Sequence, residues 1–495
     1  MEVSLVFPHQ LYAHSPALSH QRPVYLLEEK HYFGEYNGEG SHFHKQKLVL
    51  HRASMKAYER LLKKHGFVVH YLEHRHGQSF GQTMEDLFHG ESIVAHCCDP
   101  TDHFLLDELE AWGKSTASEI HYYETPNFVC QQPWLSEFFE HGHDLQMSSF
   151  YKAQRRRLGV MVHRDGKPYG GKWSFDESFE SQQLTHEVEL AEPCASEADE
   201  VAEATAYVEK KFPHARGQLD GGFHYPHSRR GALLWLKQFF EERLLDGGDE
   251  LASKNRNKQI VYHSVLTPML NIGLLQPEEV LHVLMRFSKL HKVPVHYVES
   301  FVRQIIGWRE FVRGVYLYHG RSERMGNFWK LERRMPDCFY TAETGVDPVD
   351  ESIRKVLATG YCHQMERMMV QGSFMLLCRI HPDEVHKWFM EMMVDGFDWV
   401  VVPNVYGISQ FADGGLFVNR PYLVSSRTIQ EQLGVAHGKW SQLWDALLWA
   451  FIDDYHDEFM DNPQLSSMAE MLTHMPDRIK KPQLKMARNF LAQLS

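Results

Sequence analysis

The sequence predicts an α/β plus all-α fold: an N-terminal Rossmann-like domain with a parallel sheet, a long connector, and a large C-terminal helical domain. Three observations predict it. Short apolar runs alternate with helical periodicity over the first 125 residues, which is typical of a parallel sheet with helices on both faces. From about residue 227 onward, apolar residues recur at i, i+3, i+4 and i+7, as in packed helices. Residues 181–205 are acidic and poor in aromatic side chains, which indicates a linker.

A chain of 495 residues is too long for a single hydrophobic core. We assign residues 1–130 to the α/β domain, 131–225 to the connector and 226–495 to the helical domain. The predicted strands of the first domain are the apolar runs at 3–7, 24–27, 67–72, 92–97 and 119–124. The helices predicted between them span 44–66, 80–89 and 102–114. The first of these helices ends at Gly66, a residue type favoured directly after a helix.

Ligands of parallel α/β sheets bind beyond the carboxyl ends of the strands. The first predicted strand runs into FPHQ, which brings His9 and Gln10 to that edge. No GxGxxG motif follows the strand, so the sequence does not support the glycine-rich type of dinucleotide site.

The composition excludes several classes of protein. There is no run of about 18 apolar residues and no basic signal-peptide region, so we expect a cytoplasmic protein with no membrane partner. The net charge of −13 argues against general coating of nucleic acid but allows a local basic face. The seven cysteines form no CxxC pair, so neither a disulfide framework nor a zinc ribbon is predicted. Histidine pairs such as His42/His44 and His141/His143 have no neighbours that complete a metal shell, and we predict no metal site.

Two stretches of the helical part carry polar groups at informative positions. In HSVLTPML, Ser264 and Thr267 flank a predicted helix start at Pro268. They form either a phosphate-binding nest or, as sequence alone favours, a simple helix cap. In RQIIGWREFVRG, Arg303, Arg309 and Arg313 lie off the hydrophobic stripe, where they contact phosphates, pair with acids or form a solvated face.

The stretch GYCHQMERMM places His363 and Arg367 four residues apart on one helix face, with Gln364 beside them. Further along, Asp395 lies within the apolar run MMVDGFDW and needs a partner if it is buried. Arg367 is the natural candidate. The pattern alone fits an isolated buried ion pair as well as a functional one.

Taken together, SVLTPMLNIGLL, RQIIGWREFVRG, GYCHQMERMM and PNVYGISQFADGG resemble the cryptochrome/photolyase family. The resemblance is to the bacterial (6-4) photolyase branch, which usually carries an iron–sulfur cluster, and it extends to HFHKQKLVLHRASM and SSFYKAQRRRLGVMVHRDGKPYGGKWSFD in the N-terminal half. It implies FAD in the helical domain and light-driven electron transfer to a flipped-out pyrimidine dimer in UV-damaged DNA. A blue-light receptor with a signalling partner and little repair is the alternative. A protein that keeps the fold without photochemistry is a third reading. We expect a monomer.

The resemblance also assigns roles to individual residues. His263, Ser264 and Thr267 would contact the flavin phosphates. Gln304, Trp308 and Arg309 would line the adenine and ribose side, and Arg367 with Asp395 would lie at the isoalloxazine edge. His363 and Gln364 would act at the lesion, and Trp388 and Tyr340 would pass electrons to the flavin. Candidate contacts to DNA phosphates are the basic residues Arg155, Arg156, Arg157, Arg321, Arg324, Lys330, Arg333, Arg334 and Arg420.

Three departures from the branch concern its chemistry. Pro348 stands at the position of a cluster cysteine, and no cysteine follows Gly415, so a [4Fe–4S] cluster is not expected. Gln364 replaces the second of two adjacent histidines and cannot act as an acid, which puts efficient (6-4) repair in doubt. Tyr340 replaces a tryptophan, while Phe389 and Phe397 replace tyrosines, so we expect slow flavin photoreduction or a different electron route.

A fourth departure concerns the antenna. The branch binds a lumazine antenna in its first domain, and the resemblance would assign it to His9, Gln10, Glu29, His44 and Lys45. FPHQL replaces the usual Leu-Gly-Asp-Gln-Leu, so His9 stands for an acid and Pro8 stiffens the loop, which weighs against that antenna.

Overall fold

The computed structural model describes residues 1–34, 42–140, 145–175, 198–246 and 264–494. His263, His141, His143 and Cys194 lie outside these ranges. The same holds for residues 181–197 of the predicted linker.

The N-terminal part is built on a five-stranded sheet in the order β3-β2-β1-β4-β5, with every pairing parallel. The strands are β1 (Glu2–Val6), β2 (Val24–Leu27), β3 (Val69–Leu72), β4 (Val94–Cys98) and β5 (Glu119–Tyr123). The helices between them are α1 (Lys45–Lys64), α2 (Phe80–Phe88) and α3 (His103–Thr116). The predicted α/β class and each of its elements are confirmed within a few residues. The order reverses at β1 and β4, so the crevice for a ligand lies beyond their carboxyl ends.

Helices α4 (Gln132–Glu140), α5 (Met147–Leu158) and α6 (Ala198–Lys211) follow the sheet. The linker prediction was wrong for residues 198–205, which belong to α6. Ala204 and Val208 are fully buried and give α6 a narrow apolar stripe that packs on α1. The acids that suggested a linker are ion-pair partners, because Glu203 lies 2.5 Å from Arg52 and Glu200 lies 2.5 Å from Arg60.

The C-terminal half contains no strand among the residues described, in agreement with the all-helical prediction. Its α-helices span Arg229–Gln238 (α7), Thr267–Asn271, Pro277–His291, Val295–Val302, Arg309–Glu323, Cys338–Thr341, Asp347–Thr359, Ser373–Leu377, Pro382–Met392, Asp398–Val402, Ser426–Leu433, Lys439–Asp454, His456–Asp461, Ser466–Thr473 and Asp477–Gln493. Trp444 is fully buried and stacks on Phe374, where it ties the last helices to the centre of this half. Within the described ranges, every helix is too short or too polar to cross a membrane.

Helix α1 joins the two halves. The backbone N–H of His44 donates to the carbonyl of Glu391 at 2.7 Å, and that of Lys45 donates to Arg216 at 2.8 Å. One turn further, the buried side chain of Lys47 reaches the carbonyls of Met390 and Gly396. The sheet domain is therefore anchored to the end of helix Pro382–Met392, which lies beside the cavity described next.

Candidate functional site

The helical half encloses a cavity of about 890 Å³. Every predicted flavin contact that lies within the described residues lines it, namely Ser264, Thr267, Gln304, Trp308, Arg309, Arg367 and Asp395. His363 and Gln364 line it as well. Stretches about 130 residues apart in the sequence, from Ser264 to Asp395, therefore meet in one chamber.

Four π-helical turns contribute to the walls: Phe239–Arg243, Arg303–Trp308, Glu366–Gly372 and Pro403–Ser409. A π turn inserts one extra residue per turn and widens the helix, and such turns occur often at functional sites. Here each turn supplies lining residues, such as Phe239, Gln304, Arg367 and Asn404. Apolar periodicity cannot distinguish a π turn from an α turn over so few residues, so the sequence did not reveal this feature.

Arg367 and Asp395 form a two-pronged ion pair in the cavity wall. Arg367 Nη1 lies 2.9 Å from Asp395 Oδ1, and Nη2 lies 3.2 Å from Oδ2. The hydroxyl of Thr267 donates to the same Oδ2 at 2.6 Å, and Arg367 Nε donates to the carbonyl of Cys362 at 3.0 Å. Burial alone would lower the pKa of Arg367, but the charge of Asp395 outweighs it and raises that pKa. The pair predicted from sequence is therefore present and facing the cavity.

Ser264 and Thr267 do not cap a helix. The helix Thr267–Asn271 has only five residues, and no side chain accepts a hydrogen bond at its N-cap position. Thr267 instead supports Asp395, and Ser264 lines the cavity while its carbonyl accepts from Trp235 Nε1 at 2.7 Å. The simple-cap alternative is thus wrong for Thr267, whose hydroxyl bonds to Asp395 instead of to the start of the helix.

Arg309 and Arg313 are buried, so the solvated-face alternative is wrong for both. Arg309 Nη1 donates to Asn271 Oδ1 at 2.5 Å, and its guanidinium lies between the rings of Phe128 and Trp399. Burial lowers the pKa of Arg309 to about 10. Arg313 donates to the carbonyl of Cys130 at 2.8 Å and plays a structural role.

Asn271 is a site residue that the sequence reasoning missed. Its Oδ1 accepts from Arg309, and its Nδ2 donates to the backbone carbonyl of Asp395 at 3.0 Å. It therefore connects the two charged centres of the cavity. The available signal was a single amide within the apolar run MLNIGLL, where a buried polar group requires partners.

His363 and Gln364 lie on the same wall with different environments. His363 Nδ1 accepts from the backbone N–H of Met365 at 3.2 Å, and burial lowers the pKa of His363 to about 4. The imidazole is therefore neutral at physiological pH. Gln364 is exposed and lines the cavity. Neither side chain is an acid at neutral pH.

The predicted electron-route residues lie behind the cavity wall. Trp388 is fully buried, donates from Nε1 to the carbonyl of Phe339 at 3.0 Å, and meets the ring of Phe389 edge-on at 5.1 Å. Phe389 itself lines the cavity. Tyr340 directly follows Phe339, and Arg216 lies over its ring at 4.1 Å. Trp388 and Tyr340 are thus neighbours joined through one peptide group.

The structure divides the predicted antenna residues into two groups. His9 and Gln10 are buried at the carboxyl end of β1, where Gln10 donates to the carbonyl of Cys98 at 2.9 Å and burial lowers the pKa of His9 to about 3. His44 instead contacts the carbonyl of Leu357 at 3.1 Å, and Lys45 follows it in α1. The antenna assignment stays a prediction. His9 and Gln10 lie at the carboxyl end of β1, whereas His44 and Lys45 lie at the start of α1, so the two groups of residues are on different elements.

Glu29, the remaining antenna candidate, belongs to a charged cluster. One possible ligand atom each of Glu29, His31 and Glu108 lies within 4.8 Å of the others. Burial alone would lower the pKa of His31, but the charge of Glu29 and a hydrogen bond to Glu108 raise it to about 9. Burial also raises the pKa of Glu29 to about 7, and the neighbouring Lys30 pairs with Glu108. The absence of a metal site stays a prediction.

The expected DNA contacts require corrections. Arg155 is fully buried and donates to the carbonyls of Trp173 and Met161, so it cannot meet a phosphate. Arg333 donates to the carbonyls of Leu491 and Leu494 and holds the last helix. Six exposed basic residues remain predicted DNA contacts: Arg156, Arg157, Arg321, Lys330, Arg334 and Arg420. Arg156 lies over the ring of Trp173, Arg157 lies over the ring of Trp134, and Arg321 pairs with Asp107. Arg420 lines a smaller cavity. Arg324 is mostly buried and pairs with Asp398.

Comparisons with known proteins agree with this arrangement. Residues 4–225 match the family model of deoxyribodipyrimidine photo-lyase-related proteins, and residues 301–419 match the FAD binding domain of DNA photolyase. A (6-4) photolyase from Agrobacterium fabrum is 25% identical over 468 residues, which cover 91% of each protein.

Two solved structures share the fold. A bacterial class III photolyase from Agrobacterium tumefaciens has a TM-score of 0.58 and 16% identity, with 99% of this chain and 97% of that chain covered. A cryptochrome from Synechocystis has a TM-score of 0.58 and 14% identity, with 98% of both chains covered. The matched α/β and FAD-binding regions, together with the cavity between the corresponding helices, lead to one conclusion: this chain belongs to the cryptochrome/photolyase family.

Proposed function

We propose that this chain is an FAD-dependent, blue-light-driven lyase that splits UV-induced pyrimidine dimers in DNA. One observation carries the proposal: the mostly buried Arg367–Asp395 pair lies on the wall of a cavity that is also lined by the other described residues assigned to FAD. A protein that kept only the fold would have no need for a hydrogen-bonded ion pair facing a large chamber, since filling that space with apolar side chains is often more stable.

The residues present fit FAD. A volume of about 890 Å³ lies near the upper end of the range for ligand cavities, as a dinucleotide requires. Ser264 and Thr267 would lie near the phosphates, and Gln304, Trp308 and Arg309 would line the adenine and ribose side. Arg367, oriented by Asp395 and the carbonyl of Cys362, would present a fixed positive charge to the isoalloxazine edge.

When bound and reduced, FAD supplies the photoexcited electron that opens the dimer. The chain's own residues admit the flipped-out bases and exclude water around them. Gln364 offers an amide donor and acceptor to the lesion at the cavity mouth, and the neutral His363 adds no charge beside it. We infer that dimers which reopen by electron transfer alone are better substrates than (6-4) lesions, whose reversal also moves a hydroxyl or amino group and its proton.

The test is a repair assay with two oligonucleotides, one carrying a cyclobutane dimer and one a (6-4) lesion. Under blue light and with reduced flavin, we expect intact pyrimidines from the first and at most slow repair of the second, with no product in the dark. Absence of light-dependent product from both substrates, in a flavin-loaded protein, would refute repair.

A blue-light receptor is the second candidate, because several arginines that were expected to bind DNA phosphates instead bond to groups within the protein. Arg155 is buried, Arg333 holds the last helix, and Arg321 is paired with Asp107. Weak binding to damaged duplex DNA at physiological salt, combined with a light-dependent change in proteolysis or hydrogen exchange, would favour this candidate over repair.

We also propose that the chain holds no iron–sulfur cluster. Pro348 stands at the position where the related branch has a cysteine that binds the cluster. It is buried in the first turn of helix Asp347–Thr359, where a backbone N–H has no partner within the helix, so its absence costs nothing. We expect purified protein to contain far less than one iron per chain and no acid-labile sulfide. About four iron atoms per chain would contradict this proposal.

A further inference from the structure

Lys47 is a lysine of the α/β half whose amine bonds to Gly396, a residue of the cavity wall. It lies in the first turn of α1 with only 1% of its surface exposed. Its Nζ donates to the carbonyl of Met390 at 3.0 Å and to that of Gly396 at 2.6 Å. Fully buried lysines are rare unless they are paired. Both of these hydrogen bonds go to one short segment of the chain, which indicates a specific role for Lys47.

The two carbonyls border the segment that carries Asp395. Met390 belongs to the last turn of helix Pro382–Met392, and Gly396 directly follows Asp395 in the cavity wall. The segment is held from its other side by Asn271 Nδ2 on the carbonyl of Asp395 and by the N–H of Val394 on the carbonyl of Gly360. A Cβ added at Gly396 would come within 2.8 Å of the carbonyl oxygen of Phe389, so the turn has little room to shift.

The groups around the Lys47 amine can accommodate it both as a neutral amine and as a cation. Burial lowers the pKa of Lys47 to about 7, while the charges of Asp395 and Glu391 oppose that shift. The neutral amine has two N–H donors for the two carbonyls, and the cation has a third donor beside the ring of Phe43, 3.9 Å from Nζ. The other titratable neighbours are His44 and His51 of the same helix, and burial lowers the pKa of each to about 4 or below.

We propose that Lys47 is a positioning residue for the Arg367–Asp395 pair: its amine fixes the turn that presents Asp395 to the cavity. The inference rests on the proposed FAD site. The same hydrogen bonds bring the amine, whose pKa burial lowers to about 7, to the segment that carries Asp395, so its charge and its effect on the flavin would change near neutral pH. A cation near the ring favours the reduced flavin, so the reduction potential rises as Lys47 becomes protonated.

The test compares Lys47→Met with Lys56→Met, a matched control on the same helix whose partly exposed amine pairs with Glu59. In apoprotein reconstituted with FAD, we expect Lys47→Met to weaken FAD binding at least tenfold and to speed amide exchange at Val394 and Gly396. We expect Lys56→Met to match the wild type. The flavin reduction potential of Lys47→Met should lie below that of the wild type at pH 6, and the difference should vanish by about pH 8.

FAD affinity and potentials that are equal in Lys47→Met and Lys56→Met at every pH would overturn the inference but leave the proposed function intact. A wild-type chain that binds no FAD would overturn both. If Lys47→Met does not fold, the same measurements on Lys47→Arg test the inference. This variant keeps a cation at all pH values, so we expect it to bind FAD and to lose the pH dependence near 7. A pH dependence equal to that of the wild type would overturn the inference.

Discussion

Asp395→Ala is expected to abolish flavin retention and to destabilise the chain by about 3–5 kcal/mol. The substitution leaves the mostly buried Arg367 guanidinium without its carboxylate, and it removes the acceptor of the Thr267 hydroxyl. Arg367 cannot avoid this cost by losing its proton and becoming neutral, because arginine stays charged in proteins. The measurements are FAD released per chain after purification and the free energy of unfolding in urea.

Asp107→Ala is the matched control. Asp107 also pairs with an arginine, Arg321, at 2.6 Å, but the two side chains are 51% and 60% exposed. An exposed pair contributes about 0–1 kcal/mol, so this variant should keep both its flavin and its stability. If Asp395→Ala kept one FAD and behaved like Asp107→Ala, the ion pair would have no part in binding.

Gln364→His is expected to raise (6-4) repair by about 10²-fold or more, because a positioned general acid contributes about 10²–10⁴-fold. Position 364 is exposed at the cavity mouth, so a histidine there would titrate near its ordinary pKa of about 6.5 and supply a proton. His363 cannot take this role at neutral pH, because burial lowers its pKa to about 4. The measurement is the rate of (6-4) lesion loss per absorbed photon.

Gln432→His provides the control, since Gln432 is another exposed glutamine that lines the cavity and has no assigned role in FAD binding. A gain in (6-4) repair from Gln364→His alone, with cyclobutane repair unchanged, would identify the missing acid as the limiting defect. No gain from Gln364→His, in a protein that repairs cyclobutane dimers, would show that another step limits (6-4) repair.

The sequence predicted the sheet well because its strands are short apolar runs bounded by turns, and parallel pairing leaves them few alternatives. It also predicted the ion pair, because an acid within MMVDGFDW needs a buried partner and Arg367 was the available base. That these separate stretches form one site could be predicted only through the resemblance, since nothing local connects Thr267 with Asp395.

Other features depend on contacts that no local pattern records. Lys47 resembles an ordinary surface lysine in KQKLVLHR, and only the carbonyls of Met390 and Gly396, more than 340 residues later, explain its burial. The acids of α6 suggested a linker because their partners Arg52 and Arg60 lie in another helix. Within the run Arg155–Arg157, helical geometry turns one guanidinium inward and leaves two outside.

The flavin content of the purified chain tests the central claim most directly. If the helical half holds FAD against the Arg367–Asp395 pair, the wild-type protein should be yellow, release about one FAD per chain on denaturation, and rebind FAD after its removal. A folded, colourless protein that takes up no FAD when the cofactor is supplied would contradict the account.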